Sequence, residues 1–386
     1  MLALRGGKLL TVAQGTIENG VILVEDGRIV AVGDSTTPVP AGAETVDVSG
    51  CWVTPGLIDA HTHISTMGEP RILGGRVEVC EITDPVTPHV LARDSLNPFD
   101  ISIAAARGAG FTTCCTLPGS ANIINGQGVV IKCRQALTAE DLILPGTACM
   151  KFALGENPKF YYSAQGKAPS SRMGNGAVLR EALARACDYR DRLAAAGGDV
   201  AKMPPFDYRL QALLPVVEGR MLCRFHCHRA DDIVTAVRVA EEFGLRYALE
   251  HVTEGHKIIP FLQEKQPCCV IGPLNVGPLK MELWELRLET PGLLEEAGIP
   301  FCLTQDSGTE IRFLRAFVGM YIARGLSHAA ALRALTLQPA RLLGLEQRLG
   351  TLEAGKDADL AVFDGDPFSN YTRCRMTMID GRLYHD

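Results

Sequence analysis

Between residues 56 and 346 the chain alternates short apolar runs with helix-like segments, and this rhythm restricts the fold more than any other feature of the sequence. Eight runs read as strands, at residues 57–60, 111–116, 129–132, 148–152, 221–226, 247–251, 268–271 and 300–304. Near-continuous apolar strands spaced by helices are what a parallel sheet covered on both faces demands. The intervening helices are amphipathic: over residues 233–243, Ile233, Ala236, Val237 and Ala240 recur at i, i+3, i+4 and i+7. Asp100, Asp231 and Ser327 are expected N-caps. Eight strands alternating with helices predict an α/β fold, a (β/α)8 TIM barrel. A doubly wound sheet competes, but no GxGxxG follows the first strand.

The two ends have a different texture. Residues 1–55 hold short β-branched runs at 20–25, 28–32, 45–48 and 52–54, separated by Asp26-Gly27, Gly33-Asp34 and Ser49-Gly50. Residues 347–386 return to strand character at 360–363 and 376–379. The simplest topology joins both termini in one small β-sandwich domain, residues 1–55 with 347–386, and inserts the barrel of residues 56–346 between them. The polar segment 157–175 follows the fourth strand on the side where barrel active sites form, and reads as a mobile loop over the site.

Composition narrows the function classes. Apolar residues make up 47% and charged residues 21%, which excludes intrinsic disorder as the main description. With 38 Lys and Arg against 44 Asp and Glu, the net charge of −6 argues against nucleic acid as a partner. No apolar stretch is long enough for a membrane span and the first residues do not form a secretory signal. Thirteen scattered cysteines without a CxxC pair fit thiols buried in a reducing cytoplasm.

The strongest local signal is PGLIDAHTHI. His61 and His63 stand two residues apart at a strand end, so their rings point to the same side and can share one divalent ion. A pair of buried structural histidines is the plain alternative, and the other histidines shift the balance. Of nine in the chain, His226 ends the fifth strand and His251 the sixth, while Asp306 lies just past the eighth. In a parallel barrel these strand ends share one face. His228, two residues beyond His226, points to the same side if the strand continues, and either could be the ligand; His226, nearer the strand body, is favoured, which leaves His228 beside the metal or in contact with substrate. Lys151 sits on the fourth strand. A cation facing metals would repel them, but an amine carboxylated by CO2 becomes a bridging carboxylate; Glu156 is the alternative bridge.

These residues resemble the metal-dependent amidohydrolase superfamily, from GCWVTPGLIDAHTHI through HCH, LEH and TQDS to LTLQPARLLGLEQRLGTLEAGKDADLAVFDGDPF. Within it the sequence is most similar to the imidazolonepropionase-related and prolidase-like dipeptidase branch. The resemblance implies metal ligands His61, His63, Lys151, His226, His251 and Asp306, with one or two divalent ions, zinc foremost. Two features depart from the pattern: Gln305 intervenes between Thr304 and Asp306, and ALGENP follows the fourth strand.

The expected reaction is hydrolysis of an amide-type C–N bond of a small molecule, a peptide, N-acyl compound or cyclic amide, by a metal-held hydroxide, with Asp306 as general base and then acid. Lys159, Arg172 and Arg229 are candidate partners for a substrate carboxylate, and Tyr161 and Tyr162 for a substrate ring. A mononuclear deaminase and a catalytically dead scaffold are the competing readings. A homo-oligomer is the default assembly.

Overall fold

The computed structural model describes residues 1–69, 78–274 and 280–385. Eight strands form the central sheet: β6 (Leu57–Thr62), β7 (Phe111–Thr116), β8 (Ile124–Lys132), β9 (Cys149–Ala153), β10 (Leu222–Cys227), β11 (Tyr247–His251), β12 (Cys268–Ile271) and β13 (Phe301–Leu303). All eight expected strands fall on these. They neighbour one another in chain order. Between β13 and β6, the two ends of this order, the Thr304 hydroxyl donates to the His61 carbonyl at 2.5 Å, the Gln305 N–H donates to the Asp59 carboxylate at 3.2 Å and the His63 N–H donates to the Ser307 carbonyl at 3.2 Å.

One strand corrects the all-parallel expectation. β8 pairs antiparallel with both β7 and β9. Parallel neighbours need a crossover of a dozen or more residues, and only residues 117–123, rich in Pro, Gly, Ser and Asn, separate β7 from β8. No helix lies between β8 and β9 either. The sheet is therefore a nearly closed eight-strand barrel with one reversed strand.

Elsewhere helices cover the sheet as the periodicity predicts. In Ala230–Glu242 the residues Ile233, Ala236, Val237 and Ala240 are all buried. Asp100 and Ser327 cap their helices, accepting from the N–H groups of Ser102 and Ala330. Asp231 does not: Arg229 takes the N-cap position, and Asp231 falls in the first turn, where its charge suits the helix dipole. Segment 157–175 is largely helical, within Glu156–Ser163 and the start of Arg172–Ala196, where a loop was expected.

The termini contribute β1 (Leu2–Leu10), β2 (Thr16–Glu25), β3 (Arg28–Gly33), β4 (Glu44–Asp47) and β5 (Trp52–Pro55), with β14 (Leu360–Phe363), β15 (Cys374–Ile379) and β16 (Arg382–Tyr384). Hydrogen bonds join all eight into one connected sheet, where a sandwich was the expectation. β14 pairs with β5, so the end of the chain is stitched to its beginning. Leu4, Leu9, Ile22, Val53, Leu360 and Val362 pack into the apolar core of this sheet. The thirteen cysteines are all free, most of them buried. No described helix is long and apolar enough to cross a membrane.

Candidate metal centre

His61 and His63 lie at the end of β6, their ring centroids 5.7 Å apart. His61 is fully buried; Glu250 Oε2 is 2.6 Å from its Nδ1 and Lys151 Nζ is 2.8 Å from its Nε2. His63 directs Nδ1 to the Leu117 carbonyl at 2.7 Å, and His251 directs Nδ1 to the Gly272 carbonyl at 2.6 Å. A carbonyl only accepts, so in both rings Nδ1 carries a hydrogen and Nε2 is the nitrogen turned to the cluster. His228 Nδ1 meets the Thr253 hydroxyl at 2.7 Å.

The rings then converge. His251 lies 5.0 Å from His61 and 4.4 Å from His226, centroid to centroid, and His228 stacks on His251 at 4.5 Å. Asp306 Oδ1 is 3.2 Å from His61 Nε2 and 3.1 Å from His63 Nε2. About a fifth of the Asp306 side chain, 21%, faces solvent, which leaves it open to an incoming molecule. Two sets of ligand atoms lie within 4.8 Å of one another, one from His226, His228 and His251, the other from His61, His251 and Asp306.

Backbone geometry explains part of this. A flat strand would point Glu250 and His251 to opposite faces. His251 instead has φ +72° and Val252 φ +46°, which turns the strand end so that both side chains serve the site. Asp306 is also left-handed, at φ +53°. Such conformations are costly for non-glycine residues and persist where the surroundings enforce them.

Electrostatics separates the groups by role. Burial, with help from neighbouring cationic groups, pushes the pKa of His226 and His228 well below the ordinary histidine range, and burial takes His251 down to about 3. These imidazoles are neutral at physiological pH. Burial works against the charge of Asp306, but His61 and His63 outweigh it and hold the carboxylate far below its usual range. Burial lowers the pKa of Lys151.

The donor set fits a divalent metal. His251 Nε2 is buried without a hydrogen-bond partner, and Asp306 Oδ1 accepts no regular hydrogen bond. Buried orphaned acceptors are rare and call for an explanation. Several imidazole nitrogens and a carboxylate oxygen turned toward one another suit a cation.

The other expected site residues divide. Arg229 turns away, pairing with Asp231 at 3.0 Å on the surface. Arg172 binds Asp232 at 3.0 Å and reaches within 3.8 Å of Glu282, at the edge of the histidine cluster. Lys159 stands on the helix Glu156–Ser163 outside the cluster. Tyr162 is buried and donates to Asn122 at 2.6 Å, while Tyr161 is exposed. Glu156 offers its backbone N–H to Glu282, and it is Lys151 that touches His61.

Three charged residues escaped the sequence reading. Glu250 links His61 to Arg224, which also donates to the Ala60 carbonyl at 2.7 Å. Arg224, at an i−2 spacing from His226, shares its face, so strand alternation carried that signal. Glu282, with a fully buried side chain, lies 3.8 Å from both His226 and His228. It follows the undescribed residues 275–279, and nothing in its local sequence marks it.

A barrel whose strand ends gather imidazoles and a carboxylate defines a family by its centre, and comparison with known proteins names it. A solved amidohydrolase structure from Thermotoga maritima superposes with a TM-score of 0.95 at 35% identity, covering 100% of both chains. The model of the amidohydrolase family matches residues 221–385. An amidohydrolase of Hapsidospora irregularis is 30% identical over 95% of this chain, which spans 40% of that protein's length. An imidazolonepropionase of Mesorhizobium japonicum is 27% identical over 93% of this chain and 91% of its own length. The chain belongs to the amidohydrolase superfamily, and its relatives are hydrolases of carbon–nitrogen bonds.

Proposed function

We propose that the protein is a metal-dependent hydrolase of an amide-type C–N bond in a small molecule, with a peptide, N-acyl compound or cyclic amide as substrate. The observation that carries this reading is Asp306 Oδ1, set 3.2 Å and 3.1 Å from two histidine Nε2 atoms at the open mouth of an imidazole cluster. His61, His63, Lys151, His226, His251 and Asp306 would hold one or two divalent ions, with zinc suited to nitrogen and carboxylate donors. A bound ion supplies Lewis acidity, which polarises a carbonyl and brings the pKa of water from 15.7 to about 7.

The chain's own groups supply the rest. Asp306 takes the proton of the attacking water on its carboxylate and returns it to the leaving nitrogen. Its depressed pKa keeps it ionised and ready to accept. Glu250 and Arg224 fix the ring of His61, as partners of metal-binding histidines commonly do. Lys151, buried with its pKa lowered, holds an amine that in neutral form can add to CO2: the nitrogen forms a bond to carbon, loses one proton and becomes a carbamate.

The test is turnover of a panel of dipeptides, N-acyl amino acids and cyclic amides by protein reloaded with Zn(II), Mn(II) or Co(II). Release of an amine or opening of the ring is expected for at least one class. Turnover confined to ring amidines, with ammonia released, would replace the reading by deamination.

A further inference from the structure

Glu282 is a buried carboxylate in contact range of the cluster to which the reaction above gives no part. Its side chain is fully buried, and Oε1 points between His226 and His228, 3.8 Å from each Nε2. Oε2 is tied down by the Glu156 N–H at 2.9 Å. Gly155, at φ +87°, admits this approach: a Cβ there would stand 2.7 Å from Oε2. The other oxygen accepts no regular hydrogen bond, yet Lys280 Nζ lies 2.5 Å from it as an ion-pair partner. Lys280 is itself steadied by Asn157 Oδ1 at 3.1 Å.

We infer that Glu282, with His226, His228 and His251, forms a complete divalent-metal site of three nitrogens and one carboxylate oxygen, which holds its ion without Lys151. The inference rests on the metal-dependent reading above and deepens it. Ligands around a tetrahedral zinc with bonds of about 2.0–2.1 Å stand about 3.3–3.4 Å apart. The 3.8 Å separations of Glu282 from His226 and His228 need only a few tenths of an ångström of contraction, while its approach to His251, the third imidazole of the group, asks for a larger shift. His228 and His251 both anchor Nδ1, at 2.7 Å and 2.6 Å, and so present Nε2. Lys151 stands on the other side of the centre, 2.8 Å from His61 Nε2. Lys280 is the ion-pair partner of that oxygen, so its ammonium and a bound ion would exchange for one position.

The charge exchange makes opposite predictions for neighbouring residues. Metal-depleted full-length protein is titrated with Zn(II) alone, and bound metal per chain is counted by mass spectrometry and calorimetry. Glu282→Gln, which keeps shape and removes charge, weakens one equivalent at least 10-fold. Lys280→Met, which removes the competing cation, tightens that same equivalent. Lys151→Met leaves it in place. Co(II) loaded at this site gives the intense visible absorption of tetrahedral coordination, and Glu282→Gln loses it. Unchanged Zn(II) affinity in Glu282→Gln, weaker binding in Lys280→Met, or loss of this equivalent in Lys151→Met would each overturn the inference. If wild-type protein binds metal at the His61 set alone, the site inferred here fails while the proposed function stands; if it binds none, both fail.

Discussion

Two fully buried lysines sit on adjacent, oppositely directed strands, and their surroundings could hardly differ more. Lys132, on β8, is caged by three carboxylates: Asp359 at 2.8 Å, Asp380 at 3.0 Å and Asp357 at 3.2 Å. Arg348, Arg28 and Arg134 brace the same aspartates from outside. Lys151, on β9, has an imidazole nitrogen as its nearest partner, with Glu250 and Asp306 acting only at longer range. Burial lowers both lysines, but for Lys132 the aspartates more than reverse it, and for Lys151 nothing does. A buried amine with a complete set of counter-ions is a structural clamp, here between the reversed barrel strand and the segment leading into the terminal sheet. Lys151 has no such set of counter-ions, and its pKa is lowered by burial.

The difference can be broken at several points. The largest expected effect lies on the Lys151 side. Asp306→Asn should keep metal binding largely intact and lower kcat by about 10²–10⁴-fold, the usual worth of a positioned acid–base group. Near-normal turnover in that variant would sink the assigned role.

Next is the clamp. Lys132→Met strands two buried carboxylates and a half-buried third, and should cost about 3–5 kcal/mol in denaturant unfolding, with metal content unaltered. Lys151→Met should do the reverse, sparing stability and damaging the centre. Equal losses of stability in the two variants would erase the distinction.

The clamp also has a pH signature. Asp357 is held below its ordinary value of 3.8, because Arg348 and Lys132 overcome the opposing effect of burial. Its contribution is in place above 3.8 and is lost as pH falls through the lower folded value. Lys132, raised above 10.5, contributes fully below 10.5 and loses that contribution only as pH climbs through the higher folded value. The stability gap between wild type and Lys132→Met should therefore be broad and flat across neutral pH and shrink at strongly acidic and strongly alkaline extremes.

The smallest effect concerns orientation. Glu250→Gln loosens His61 without removing a ligand, and should weaken metal binding by about 10–100-fold. A loss no larger than that of a surface substitution would show that His61 needs no brace.

Much of this was legible in the sequence. Every expected barrel strand exists, and His61, His63, Lys151, His226, His251 and Asp306, from β6, β9, β10, β11 and the turn after β13, lie in one region, because parallel strand ends share a face. What stayed hidden depends on geometry that residue type does not encode. β8 reads as a strand, but its direction follows from a connection too short to cross over. Glu250 could not be placed beside His251 by alternation, since the left-handed turn at His251 breaks the rule. Glu282 reaches the cluster from a short helical turn, Met281–Leu283, far along the chain. Arg229, expected in the site, is drawn off by Asp231, a local ion pair that spacing alone does not decide.

Metal content per chain, measured on the purified protein before and after a strong chelator and again after reloading, bears most directly on the whole reading. At least one tightly held divalent ion is expected, with hydrolytic activity lost and regained in step with it and with activity absent from a His61→Asn, His63→Asn variant. A wild-type protein that retains no ion after reloading, or hydrolyses its substrate equally well without one, would contradict it.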